Sequence, residues 1–195
     1  MPMHDWTRVD PREYFSFHLS WLASIAGSLN REGLPDTHYA MSDHATSPVP
    51  RFRLAVKKAS DGQIVSIIEI VSPSDKAKLR DFSLLVEDLI RLLRLGIHLV
   101  VVDPFPSRGV HSRLWREFTG TESGSTPEKA ASFMSYQVGG REPHAYVDEA
   151  AFGSDLPEMP LFLSEDKCVS LPLEESYRTA WDGYPLPIRK LLESR

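Results

Sequence analysis

Few side chains in this sequence combine reactivity with a spacing that could use it, and most fall between positions 69 and 103. Glu69 stands inside the apolar run IVSIIEIV, where an ionised carboxylate is tolerated only with a donor close by. A buried ion pair with Lys76 or an arginine would supply that donor. The run ends at Ser72-Pro73, and Ser74 or Asp75 can accept from the free backbone N–H groups of a starting helix. Lys76 opposes the helix dipole there. The 72–76 turn, with Ser72, Ser74 and Lys76, is therefore a candidate site for a small anionic ligand, a solvated lysine being the alternative. Asp103 closes the next apolar run, at the strand end where α/β proteins bind ligands, although Asp-Pro is also ordinary turn chemistry.

The remaining reactive residues carry less. His4, His38, His44, His111 and His144 lack metal-ligand spacing such as His-x-x-x-His, which argues against zinc. His18 shares an apolar helical stripe and reads as a hydrogen-bonded core histidine, and His98 as one satisfied inside a buried strand. Cys168, the one cysteine, excludes an internal disulfide and reads as a buried, inert thiol.

The elements that must position these groups follow from periodicity. Residues 63–71 are rich in β-branched side chains and predict a strand covered on both faces. Leu79, Phe82, Val86, Leu89 and Leu93 recur at helical spacing and predict a helix over 74–95, stopped by Gly96. Residues 97–102 form a second buried strand, so the unit is a right-handed βαβ crossover with parallel strands. Ahead of it, 51–59 alternates, with Phe52, Leu54 and Val56 on one side and Arg51, Arg53 and Lys57 on the other. Asp61-Gly62 marks a hairpin. A two-residue loop would set Leu54 opposite Glu69 and stand Glu69 among Phe52, Leu54, Val56, Ile67 and Val71, with Arg53 on the opposite face. A one-residue slip would reverse the assignment.

Around this core, residues 1–9 read as an irregular arm. Asp10-Pro11 with Glu13 starts a helix running to about Asn30, with Tyr14, His18, Trp21, Ile25 and Leu29 on its buried face. Residues 38–45 suggest a short strand, 46–50 a proline-punctuated loop and 111–118 a helix reached through Pro104, Pro106 and Gly109. After a polar loop over 119–127, residues 133–138 and 144–150 suggest two more strands. The proline-dense tail predicts an extended layer ending in one or two short helices, with Tyr177 and Trp181 docking as an i, i+4 pair. The expected architecture is α/β: a mixed sheet on a hairpin plus βαβ unit, flanked by helices, in one domain over 1–195. Its core spans about 10–118, with an irregular C-terminal elaboration over about 121–195.

The 195 residues are 42% hydrophobic and 25% charged, as in ordinary globular domains. A net charge of −5 argues against a strong nonspecific nucleic-acid or membrane footprint. No apolar run reaches the roughly 18 residues of a membrane span. The opening MPMHDWTRVD lacks the apolar core of a secretory signal, so the expected location is the cytoplasm, with no membrane partner.

Several motifs carry a resemblance. HDWTRVD, FHLSW, LNREGLP, EIVSPSDK, LPEMPLFL and LPLEESYRTAWDGYP are similar to a bacterial family catalogued as domain of unknown function 4058, and the likeness covers nearly the whole chain. It implies a bacterial cytoplasmic protein with no established activity. EIVSPS and VVVDPF also resemble the rhythm of the restriction-endonuclease-like (PD-(D/E)XK) superfamily. That likeness implies a core in which Mg²⁺, held between an aspartate and a glutamate on adjacent strands, activates water beside a lysine. Glu69 would be the second acid and the metal ligand. Val71 stands where that lysine belongs, and the 51–59 strand offers no acid. Lys76 would have to reach back from the helix start, and Asp43 or Asp103 to replace the aspartate.

Three functions follow as expectations. The first is a non-catalytic or degenerate nuclease-fold domain that binds a partner or holds an assembly, with no cofactor. The second is a Mg²⁺-dependent nuclease with a rearranged site around Glu69, the one case with a nucleic-acid partner. The third is a binder of a small anion at the 72–76 turn.

Overall fold

The computed structural model describes residues 3–44, 51–105, 109–122, 130–140 and 143–194. The expected loop over 46–50, Pro106 and the 123–127 part of the polar loop lie outside these residues. Strands β1 (His38–His44), β2 (Phe52–Lys58), β3 (Ile64–Ile70), β4 (His98–Asp103), β5 (Ala131–Gln137) and β6 (His144–Ala150) form one sheet in sequence order. Neighbours run antiparallel except β3 and β4, which are parallel because a helical crossover joins them.

The hairpin register differs from the expected one. Lys58 N–H bonds the Gln63 carbonyl and Gly62 N–H the Lys58 carbonyl, each at 2.9 Å, so residues 59–62 make the loop, with Gly62 at φ +70°. A bulge between Val56 and Lys57 shifts the ladder further, and Leu54 falls opposite Ile68. Glu69 thus shares a face with Ala55, Ile67 and Val71, while Leu54, Val56 and Phe52 pack on the other. Arg51 and Arg53 accompany Glu69 rather than avoiding it.

The crossover helix also departs from expectation. It is two helices, α1 (Pro73–Ala77) and α2 (Leu79–Arg94), broken at Lys78, whose backbone is extended (φ −122°, ψ 150°). The short helix is anchored at both ends, Asp75 to Ser72 and Lys76 to Asp103, so the axis must be reset before α2 can lie along the sheet. Leu79 is left 71% exposed, off the stripe where its spacing put it. Phe82, Leu85, Val86, Leu89, Leu92 and Leu93 cover one face of the sheet, together with Leu114 of α3 (Val110–Thr119).

The opposite face is covered by the N-terminal helix αN (Pro11–Ser28), capped by the Asp10 side chain, which accepts from Arg12 N–H. Against it packs α4 (Leu173–Asp182), and α5 (Leu186–Glu193) joins the same core through Leu192. The proline-dense tail is more regular than expected. It forms a hairpin of β7 (Met159–Ser164) and β8 (Lys167–Leu171) lying on β3, β4 and β5. The Ser66 hydroxyl donates to the Phe162 carbonyl and the Ser135 hydroxyl to the Pro160 carbonyl, joining the hairpin to the sheet.

The N-terminal arm is not loose. Met3 and Trp6 are buried; Trp6 Nε1 donates to Tyr177 Oη at 3.1 Å, and the His4 ring stacks on Trp181 at 3.6 Å. Tyr177 and Trp181 are both buried, at the expected i, i+4 spacing. At the outer edge of β1, the Asn30 amide donates to the Ala40 carbonyl at 2.8 Å, and its oxygen accepts the Ala40 N–H at 2.7 Å.

Candidate functional site

The register and the helix break together gather the polar residues at the carboxyl ends of β3 and β4. Glu69, next to last in β3, is 1% exposed, and Arg51 Nε lies 3.9 Å from its Oε1. Asp88 reaches down from α2 between the two arginines. Its Oδ2 accepts from Arg51 Nη2 at 3.0 Å and Arg53 Nη1 at 2.9 Å, and its Oδ1 from Arg91 at 2.6 Å. Arg53 Nε also holds Asp43 of β1 at 2.9 Å. The result is a chain of contacts from Asp43 through Arg53, Asp88 and Arg51 to Glu69. Its weak link is the last. Glu69 Oε2 and Arg51 Nε and Nη1 are buried without a hydrogen-bond partner.

A second lock stands beside it. Lys76 Nζ donates to Asp103 Oδ2 at 2.6 Å and to the Phe105 carbonyl, while Asp103 Oδ1 accepts Phe105 N–H at 3.2 Å. Asp75 Oδ2 accepts the Ser72 N–H at 2.9 Å and the Ser72 hydroxyl at 2.7 Å, and the Ser72 and Ser74 hydroxyls bond each other. Pro73 and the capping geometry explain why the chain turns inward here.

Burial and neighbours set the protonation states. Burial pushes Glu69 up to about 8; Asp75 adds to the rise, and Arg51 and Arg53 oppose it. Burial also raises Asp103 to about 6, against the pull of Lys76, and lowers Lys76, against the pull of Asp103. For Asp88, burial is outweighed by Arg91, Arg53 and Arg51 acting together, and its carboxyl sits below its ordinary range. The two carboxyls are thus pushed in opposite directions, Glu69 toward its protonated form and Asp88 toward its ionised one.

The sequence candidates are brought together only in part. Lys76 is committed to Asp103, not to Glu69, because the break at Lys78 aims it across β4. Asp43 meets Arg53 at the rim and does not join Glu69 directly. Ser72 and Ser74 bond each other and Asp75. Asp88 and Arg51 are the residues that sequence reasoning missed. Asp88 had a legible signal, since Leu85, Asp88 and Leu92 share the three- and four-residue spacing of the buried stripe.

The other histidines and the cysteine resolve separately. His98 Nδ1 accepts Val138 N–H at 3.2 Å. His18 is buried as expected, but neither ring nitrogen has a hydrogen-bond partner; burial pushes it down to about 4 and keeps it neutral among Tyr14 and Phe15. Cys168 is exposed on β8, not buried.

Among the described residues no group of three or more histidine, cysteine, aspartate or glutamate side chains is placed to hold a metal. A cation beside Glu69 would meet the Arg51 guanidinium, and Glu69 would have to lose its proton first. The donor set suits an internal ion network better than Mg²⁺. Among the described residues, no helix is long and apolar enough to cross a membrane. Comparison with protein-family models, curated proteins and solved structures finds no match.

Proposed function

We propose that this chain is a non-catalytic α/β domain that binds a partner or holds an assembly, with a core resembling a degenerate nuclease fold. The family likeness to domain of unknown function 4058 and a cytoplasmic location belong to the same reading. One observation carries it: the groups that would do chemistry are turned on one another beneath the surface. Lys76, the residue that would stand beside an attacking water, is 4% exposed and held by Asp103 and Phe105. Glu69 is sealed against Arg51. The surface grooves beside Arg31 and Glu175 and beside Ile90 and Arg94 contain none of these residues.

The test is a Mg²⁺ titration followed by thermal denaturation and by nuclease assays on DNA and RNA. The expected result is no rise in melting temperature and no cleavage, because a ligand stabilises only a state that binds it. Metal-dependent cleavage that disappears in Glu69→Gln would establish the nuclease instead. Stabilisation by phosphate alone, lost in Lys76→Met, would establish an anion binder at the 72–76 turn.

A further inference from the structure

The two edges of the sheet are finished differently. On β1 the Asn30 side chain occupies the backbone donor and acceptor of Ala40 as a neighbouring strand would. Such plugs keep an open edge from pairing with another chain. On β6, no such plug is present among the described residues. Its seven residues pair with β5 in one unbroken register, without a bulge. The strand contains no proline or lysine, and its charge is confined to Asp148 and Glu149 near the carboxyl end. His144 and residues 146–149 are exposed, including Tyr146 at 51% and Val147 at 40%. A long, regular and partly apolar edge is a template for strand addition.

We propose that β6 pairs antiparallel with β6 of a second copy, about a two-fold axis at Tyr146, giving one sheet continuous across a homodimer. This rests on the reading of the chain as an assembly domain and names the partner and the surface. Two-fold pairing of a strand with itself must match outward-pointing backbone groups with each other, so the axis passes through a residue, not between two. Five centres, Ala145 to Glu149, then pair three or more strand residues. Centring on Glu149 sets that carboxylate against its own copy. Centring on Asp148 sets two carboxylates face to face. Centring on Val147 sets Tyr146 against Asp148 and Ala145 against Glu149, with no charge matched. Centring on Ala145 leaves Asp148 and Glu149 outside the pairing. Centring on Tyr146 sets His144 opposite Asp148 twice, Ala145 opposite Val147 twice, and Tyr146 opposite itself. Opposite polar pairs and an aromatic pair directly across a ladder are the combinations that stabilise it. The Tyr146 ring already lies 5.6 Å from Phe162 on β7, so the aromatic contact at the axis extends onto the next layer.

The test uses the full chain in sedimentation velocity over a concentration series, with circular dichroism of each variant to confirm folding. A reversible dimer is expected. His144→Asp and Asp148→His each remove the cross-strand match and raise the dissociation constant about tenfold, and the two together restore it. Tyr146→Cys in a Cys168→Ser background cross-links on oxidation, whereas Glu149→Cys in the same background does not. Three results would each overturn the proposal: a monomer at every concentration, a dimer that neither single change weakens, or a double change without rescue. Uptake of an unrelated strand peptide by a monomeric chain would also overturn it, in favour of a different partner. A monomer without Mg²⁺-dependent cleavage refutes this pairing and leaves the non-catalytic reading standing. Cleavage lost in Glu69→Gln refutes that reading whatever the mass.

Discussion

The two faces of the sheet are closed by different chemistry. Toward αN and α4 the filling is aromatic, and its polar tips meet inside the layer: Trp21 Nε1 donates to Ser176 Oγ, Tyr14 Oη to the Val71 carbonyl, and Tyr177 Oη accepts from Trp6 Nε1 and the His4 backbone N–H. Toward α2 the filling is aliphatic, with a wedge of ions driven in at one end. Aromatic side chains bring large apolar area with a polar end that one neighbour can satisfy. Charges bring desolvation on every side: the wedge leaves three atoms of Arg51 and Glu69 unmatched, where the aromatic face leaves, along αN, the two nitrogens of one neutral ring, His18. The first face is closed by area, the second by geometry.

That contrast breaks most readily at Asp88. Asp88→Ala leaves two buried guanidiniums without their shared carboxylate and should cost roughly 3–5 kcal/mol in urea unfolding. Replacing Arg51, Arg53 and Asp88 together by Met, Met and Leu should recover most of that loss, because it also removes the desolvated charge. If the triple variant were no more stable than the single one, the wedge would be a net stabiliser and the contrast would fail.

Trp21→Ala tests the other face and should cost about 3 kcal/mol, through lost area and the cavity left beside Tyr177. A loss below about 1 kcal/mol would mean that α4 closes over the gap.

Glu69 sharpens the comparison through pH. Its native pKa of about 8 lies above its ordinary value of 4.5, so the folded state binds the extra proton between those limits. Its contribution is full below about pH 4.5 and is lost as pH rises through 8. Charged neighbours facing it are Arg51, Arg53, Asp75 and Asp88. Glu69→Gln should gain stability over the parent as pH rises from 5 to 8, with the gap closing toward pH 5. A gap of constant size across that range would place Glu69 in its ionised form throughout.

The smallest expected effect is Tyr177→Phe, about 1–2 kcal/mol, because it deprives the buried His4 and Trp6 of one shared partner while keeping the ring. A neutral result would show that the aromatic area alone closes that face.

Much of this fold was legible because its elements announce themselves locally. The β-branched run to Ile70 and the apolar run to Val102 predict parallel strands, and both lie in one sheet with α2 on a face. Asp10-Pro11 predicts the start of αN and Asp10 caps it. The site was less legible, because its composition depends on parity. The bulge at Val56 and the loop over 59–62 decide which face Glu69 shares, and no propensity in Asp61-Gly62 fixes that count. The Lys76–Asp103 pair depends on a helix break at Lys78, where neither glycine nor proline marks it. The burial of His4 and Trp6 depends on helices more than 160 residues later in the chain, beyond the reach of any local pattern.

The clasp of the N-terminal arm also sets an order of events during synthesis. His4 and Trp6 meet Tyr177 across separations of 173 and 171 residues, and Arg8 bonds the carbonyls of Leu191 and Leu192. A ribosome adding about 5–20 residues per second therefore exposes the arm and αN for roughly ten to thirty seconds before α4 can emerge to cover them. Loops of such length close slowly, and apolar surface open for that time invites association. In this fold the emergence of α4 and α5 determines when His4, Trp6 and αN are safe from aggregation.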